Sequence, residues 1–206
     1  MPETADPLSW PDYYAKTEGR PPRATLLEAL NRFDAEGRRG LAIDLGCGSG
    51  RDSLEILKRG WELLAIDREI EGLRRLHDKT ACGAKLQTCC NAFEKMSLSP
   101  ALLINASFAL PLVPPEQFRA VWRKVTAAIL PGGRFAGQFF GQRDSWNGEK
   151  NLTFHDREEV EALLRSFELE MLREEEEDSV TVRGEAKHWH IFHVVARKPE
   201  LEAGAE

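Results

Sequence analysis

The chain has 206 residues, 34 acidic and 28 basic side chains, a formal net charge of -6 and 42% hydrophobic residues. These are the proportions of an ordinary soluble globular protein whose single core needs neither a metal nor disulfide staples. The acidic balance, the sequence pI near 5.5 and the scattering of the basic residues exclude a broad phosphate-binding face.

The N-terminus, Met1-Pro2-Glu3-Thr4-Ala5-Asp6, is acidic and no apolar run follows it, so an export signal is not visible and a cytoplasmic location is expected. Residues 1–21 are rich in Pro, Trp and Tyr and carry no periodicity, which reads as an N-terminal flap. Behind Pro22, Leu26, Leu27, Leu30 and Phe33 repeat at helical spacing. From Gly40 the pattern alternates: an apolar strand Leu41 to Leu45, a glycine-rich turn, a helix Asp52 to Arg59, a strand Trp61 to Ile66, then a helix carrying Ile70, Leu73 and Leu76. Strand, helix, strand, helix implies a parallel sheet with right-handed crossovers. Lys85 to Cys90 and Ala101 to Ala106 are the third and fourth strands, and Phe118, Val121, Trp122, Val125 and Ile129 mark a helix stopped by Pro131-Gly132-Gly133. Arg134 to Phe140 is the fifth strand. Asp156 and Glu159 have capping-box spacing ahead of Val160, Leu163, Leu164 and Phe167. Two further strands, near Glu168 to Arg173 and His188 to Ala196, are expected as an antiparallel hairpin, with the acidic run Glu174 to Asp178 at a solvated strand end or hairpin tip. Met96 to Pro115 is long and uncharged, but Asn105, serines and prolines interrupt it, so it does not span a membrane. Cys47, Cys82, Cys89 and Cys90 lack CxxC spacing and read as reduced, partly buried thiols.

The turn Asp44-Leu45-Gly46-Cys47-Gly48-Ser49-Gly50-Arg51 lets the backbone approach a ligand closely. It opens into a helix N-terminus, where a carboxylate or phosphate of a cofactor is expected. A dinucleotide fingerprint counted from Gly46 requires glycine where this chain has Arg51, so the NAD pattern fails. Seventeen residues beyond Gly50, Asp67 ends the second strand in position to accept hydrogen bonds from ribose hydroxyls.

Together with Asn91-Ala92-Phe93 after the third strand and Pro131-Gly132-Gly133 before the fifth, these motifs fall in the order seen in class I S-adenosylmethionine (SAM) dependent methyltransferases, which the chain resembles from about Leu26 to Lys198. Gly-Cys-Gly-Ser-Gly-Arg-Asp-Ser and the strand Trp-Glu-Leu-Leu-Ala-Ile-Asp look like the tellurite-resistance (chalcogen) branch. The resemblance implies a single α/β domain spanning 1–206, with a Rossmann-like, seven-stranded, mostly parallel sheet whose seventh strand is antiparallel. It implies that Gly46, Cys47 and Gly48 line the methionine part of SAM, that Asp67 serves the ribose, that Asn91, Ala92 and Phe93 serve the adenine, and that Asp44 and Arg68 also belong to the cofactor site. Asn105 and Ser107 would face the methionyl moiety or the transferred methyl. The superfamily commonly has Asp where this chain has Asn91, whose amide still offers an acceptor.

Methyl transfer from a sulfonium is an in-line displacement in which alignment and exclusion of water matter most. The acceptor-side candidates are the flap, with Tyr13, Tyr14, Arg20 and Arg23, the loop Gly141 to Phe154, with Arg143, Asp144, Trp146 and Asn147, and the residues beyond the fourth strand; His188 to His193 is the other conspicuous segment. Tyr14 and Arg20 are expected at the cofactor, Tyr14 and His190 in catalysis. On a strand His188 and His190 share one face and His193 the other. Two histidines without a recognisable third ligand give no metal site. The expected activity is methylation of a small-molecule acceptor; the rivals are a protein or nucleic-acid methyltransferase and a non-catalytic SAM-binding protein. Neither a nucleic-acid nor a membrane partner is expected, and the sequence carries no signal for oligomeric state.

Overall fold

Apolar runs of five or six residues, buried on both faces, become the strands around the glycine turn. In the computed structural model, which describes residues 9–200, these are β1 (Leu41–Leu45), β2 (Glu62–Asp67) and β4 (Ala101–Ala106). The helices α3 (Ser53–Lys58), α4 (Ile70–Lys79) and α5 (Pro115–Ala128) carry the chain back, so that β3 (Leu86–Cys90), β2, β1, β4 and β5 (Ile129–Gly141) pair in parallel. A hairpin of β7 (Glu168–Val180) and β8 (Ala186–Arg197) completes the sheet: β8 lies between β5 and β7 and is antiparallel to both. The order β3-β2-β1-β4-β5-β8-β7 is the expected α/β sheet with its antiparallel last strand. It has one addition, the two-residue β6 (Phe154–His155) beside Phe140 and Gly141, too short to leave a periodic signal.

Helices cover both faces. On one, α2 (Ala24–Ala35) with α3 and α4 buries Leu26, Leu30, Phe33, Ile56 and Leu76 against Leu63, Leu103 and Val195. On the other, α5 and α6 (Arg157–Leu163) bury Phe118, Trp122 and Val160 against Phe135, Phe139 and Phe192. Arg134 of β5, buried beneath the first face, pairs with Glu36 and Glu170 and lies 4.4 Å from the centre of the Phe33 ring. It ties β5 to the end of α2 and to β7.

Four expectations shift. The fifth strand begins at Ile129, and the Pro131-Gly132-Gly133 turn is absorbed by a register shift against β4 between Ala101 and Leu103. The capping box at Asp156 forms, yet its helix stops at Leu163, leaving Leu164 and Phe167 to bury from the following turn. Glu174 to Asp178 lie inside β7, and the hairpin turns later, at Thr181 to Glu185, because Arg143, Arg157 and His188 supply counter-charges along the acidic run. Of the flap, residues 1–8 lie outside the described residues, while Trp10–Thr17 form a helix, α1, whose first turn is capped by Ser9 accepting from the Asp12 N–H (3.3 Å). Cys47 is buried and Cys89 half-buried, whereas Cys82 and Cys90 are exposed. Among the described residues no helix is long and apolar enough to cross a membrane.

Candidate cofactor site

The end of β1 bends sharply because Gly46 and Gly48 adopt φ of +68° and +52°, a conformation that side chains disfavour. Space forbids a side chain as well. A Cβ on Gly46 would lie 2.7 Å from the Ala109 Cβ, and one on Gly48 would lie 3.1 Å from the Tyr14 ring. The N–H groups of Gly46 and Cys47 donate to the Ile66 carbonyl (2.8 and 3.2 Å), which brings the turn against the end of β2. There Asp67, largely buried, accepts from the Gly48 N–H (2.7 Å) and the Glu69 N–H (2.9 Å), one on each oxygen. Each carboxylate oxygen keeps a lone pair for a further donor.

Next along the edge, the Asn91 N–H donates to the Asp67 carbonyl (3.0 Å) and the Asn91 side-chain oxygen accepts from the Ala92 N–H (3.0 Å). This starts the 3₁₀ turn Phe93–Lys95, and the Phe93 ring reaches to 3.4 Å from a Cβ built on Gly46. Gly46, Cys47, Gly48, Asp67, Asn91, Ala92 and Phe93 therefore form one continuous rim over the carboxyl ends of three adjacent parallel strands. Tyr14 closes it from α1: its ring is buried on Gly48, and burial beside Asp67 and Glu69 raises its hydroxyl pKa. Arg68 is exposed, beside Glu69 (3.5 Å) and facing the Trp10 ring (5.9 Å), so it braces α1. Arg20 is also exposed, in a cavity of about 140 Å³ shared with Ser49, Arg51 and Lys79.

Beneath the rim lies a buried polar network. Asp44 accepts from Ser53 Oγ (2.6 Å) and from Asn105 Nδ2 (2.8 Å); the same amide reaches Asp52 (3.1 Å), whose other oxygen accepts the Arg23 N–H (2.9 Å). Ser107 Oγ donates to the Asn105 side-chain oxygen (3.3 Å). Burial, then repulsion from Asp52, pushes Asp44 up to about 7. Asn105 was expected to face the methionyl moiety, but its side chain is fully buried and tethers Asp44 to Asp52. Asp52 was missed at this site; its only sequence signal is its place right after the glycine turn. The expected anion site at the following helix is also corrected. α3 has only six residues, and the carboxyl groups of Asp44, Asp52 and Asp67 converge there, a field suited to cations.

The histidines fall elsewhere. His190 is buried against Gly141 at the end of β5, with Nδ1 accepting the Arg143 N–H (3.1 Å) and Nε2 2.8 Å from Glu174. Its backbone N–H donates to Asp144 (3.2 Å), which also accepts the Trp146 N–H (2.9 Å) and pairs with the fully buried ammonium of Lys187. His190 thus holds the loop after β5 through Nδ1 and is tied to β7 through Nε2. His188 is half-exposed and pairs with Asp178 (2.7 Å), which raises its pKa. The third potential metal ligand absent from the sequence pattern exists in space, since Glu174 and Glu176 meet His190. The Arg143 guanidinium lies 2.7 Å from each of those carboxylates and pairs with both.

A glycine turn with positive φ, an acidic residue one strand over and a polar rim beyond it fit the nucleoside and sulfonium of SAM. Residues 42–133 match the methyltransferase domain family. The chain is similar in fold to TehB from Haemophilus influenzae (TM-score 0.72, 14% identity, covering 92% of this chain and 67% of that one). It is also similar to 1,6-didemethyltoxoflavin-N1-methyltransferase from Burkholderia thailandensis, a structure with bound 1,6-didemethyltoxoflavin and S-adenosylhomocysteine (TM-score 0.64, 20% identity, 86% and 79%). A third is the N-methyltransferase NodS from Bradyrhizobium japonicum WM9 with S-adenosylhomocysteine (0.65, 14%, 85% and 86%). No curated protein sequence matches the chain.

Proposed function

We propose that this chain, as a single cytoplasmic domain, transfers a methyl group from SAM to a small-molecule acceptor. The observation that carries the reading is the continuous rim from Gly46 to Phe93, closed at one side by Tyr14. Structures of similar fold named for small-molecule methylation, the toxoflavin enzyme among them, support it. So does the acidic surface balance, which disfavours a nucleic-acid acceptor. When bound, SAM supplies a methyl group already activated on a sulfonium.

The chain's residues bind, orient and exclude water. Gly46, Cys47 and Gly48 present backbone to the methionine part, Asp67 receives the ribose hydroxyls, and Asn91, Ala92 and Phe93 border the adenine. Asp52, tied to Asp44 by Asn105, holds negative potential behind the turn, and Tyr14 covers it from the flap. His190 acts through the loop that it holds, because neither of its ring nitrogens is free for the acceptor.

The reading is tested by supplying SAM with panels of small nucleophiles, including thiols, selenite and tellurite, and measuring S-adenosylhomocysteine. Turnover on one of them is expected. Saturable SAM binding with turnover only on a protein or nucleic acid would overturn the small-molecule reading.

A further inference from the structure

We infer that the acceptor is a planar aromatic molecule carrying an anionic group, its ring held by Phe108 and neighbouring aromatics and its anion by Arg23. This rests on the small-molecule methyltransferase reading and deepens it.

Phe108 follows β4 by two residues and has φ of +54°, the one described non-glycine residue in the left-handed region. Such a backbone persists only where its surroundings impose it. Here Gln138 imposes it: its side-chain oxygen accepts the Phe108 N–H (3.0 Å), while its amide donates to Thr25 Oγ1 (2.8 Å). The Phe108 ring is thereby fixed, half-exposed, at the carboxyl edge of the sheet, where ligands bind in open parallel sheets. Its neighbours are aromatic. Phe140 lies 6.2 Å from Phe108, from Trp146 and from Trp189, and the two indoles are 5.3 Å apart, each half-exposed. Rings in this arrangement offer faces and edges to another flat π system.

Charge narrows the class further. The Arg23 guanidinium stands 4.2 Å from the centre of the Phe108 ring, half-buried, and makes no ion pair among the described residues. Burial first, then Arg51 and Arg20, depress its pKa, partly offset by Tyr13 and Asp52. Other cations here are neutralised: Lys187, 4.0 Å from the Trp146 ring, by Asp144, and Arg143 by Glu174 and Glu176. A half-buried guanidinium with no carboxylate in direct ion-pair contact calls for an anion. Arg23 also touches the cofactor side, its N–H bonding Asp52, so ring and anion would sit beside the rim. In the reaction the acceptor's heteroatom bonds to the methyl carbon, the carbon–sulfur bond breaks with its electron pair going to S-adenosylhomocysteine, and any proton on the heteroatom passes to water. A chalcogen oxyanion would use the arginine but leave the aromatic wall without a role.

The test titrates the whole chain, saturated with S-adenosylhomocysteine, with benzoate-type aromatic acids, matched cyclohexane carboxylates, neutral aromatic amides and selenite, by calorimetry and tryptophan fluorescence. Aromatic acids are expected to bind at least about tenfold tighter than either control class and to quench the fluorescence. Arg23→Gln is expected to cost them about tenfold, with S-adenosylhomocysteine affinity held within about twofold. Phe108→Asn, which tolerates the left-handed backbone, is expected to erase the preference for aromatic over aliphatic acids. Equal affinities for the acid classes, a preference for selenite, or an Arg23→Gln loss falling on S-adenosylhomocysteine would overturn the proposal while leaving the methyltransferase reading intact. Failure of S-adenosylhomocysteine itself to bind would overturn both.

Discussion

The two halves of the carboxyl edge of the sheet solve different problems. Around β1, β2 and β3 the site is mostly backbone: glycines that admit no side chain, N–H groups committed to Asp67 and Ile66, and carboxylates satisfied by neighbours. Around the ends of β4, β5 and β8 it is side chain: Phe108, Phe140, Trp146, Trp189 and Arg23, held by the buried pair Asp144 and Lys187 and by His190. A shared cofactor demands a fixed backbone shape, whereas an acceptor is selected by side chains that can vary without disturbing it. Damage in the first half should remove cofactor binding, and damage in the second should leave it.

The largest effect is expected for Gly48→Val, whose side chain meets the Tyr14 ring and whose φ is strained. Loss of detectable SAM binding by calorimetry, with a retained cooperative melt, is the expected result. Lys187→Met is the counterpart in the second half. It strands the buried Asp144 carboxylate, so urea unfolding should show a loss of about 3–5 kcal/mol, with SAM affinity retained by the folded fraction. Asp67→Ala should weaken SAM by about 1.5–3 kcal/mol, the range of a hydrogen bond to a charged group. A normal dissociation constant would move the ribose elsewhere.

These three positions were not equally legible beforehand. Gly48 and Asp67 were readable because the backbone geometry they serve forces particular residue types at fixed distances along the chain. The parallel order of the sheet followed from the same alternation of apolar runs. Lys187 is not readable, since a lysine directly before the first histidine of a histidine-rich strand looks like a solvated end until the sheet places Asp144 beneath it. Asn105 is marked by its place at the end of β4, yet only the fold shows Asp44 and Asp52 on either side. The sequence points to His190 in catalysis and hides its partners, because Arg143 and Glu174 lie 47 and 16 residues away.

Two smaller effects concern pH. Asp44, pushed up to about 7 by burial from an ordinary 3.8, holds its proton in the folded state over an interval where the unfolded chain has released it. The stabilisation is complete below about 4 and lost as pH rises through about 7. Urea unfolding of wild type against Asp44→Asn across that interval should show the wild type losing relative stability as pH rises; a flat difference would mean that Asp44 is already ionised. His188 has a raised pKa from Asp178, then Glu176. Its contribution is present below the ordinary histidine value and fades as pH rises through the folded one. Because the ring is exposed, His188→Gln should produce the smallest change, suppressed by salt, as chemical denaturation at low and high ionic strength would reveal.

The most direct measurement of the central claim is isothermal titration of the purified chain with SAM and, separately, with NAD. Saturable one-to-one SAM binding that disappears in Gly48→Val, with no heat from NAD, is the result that the glycine cradle and Asp67 require. NAD binding, or SAM binding indifferent to Gly48→Val, would contradict it.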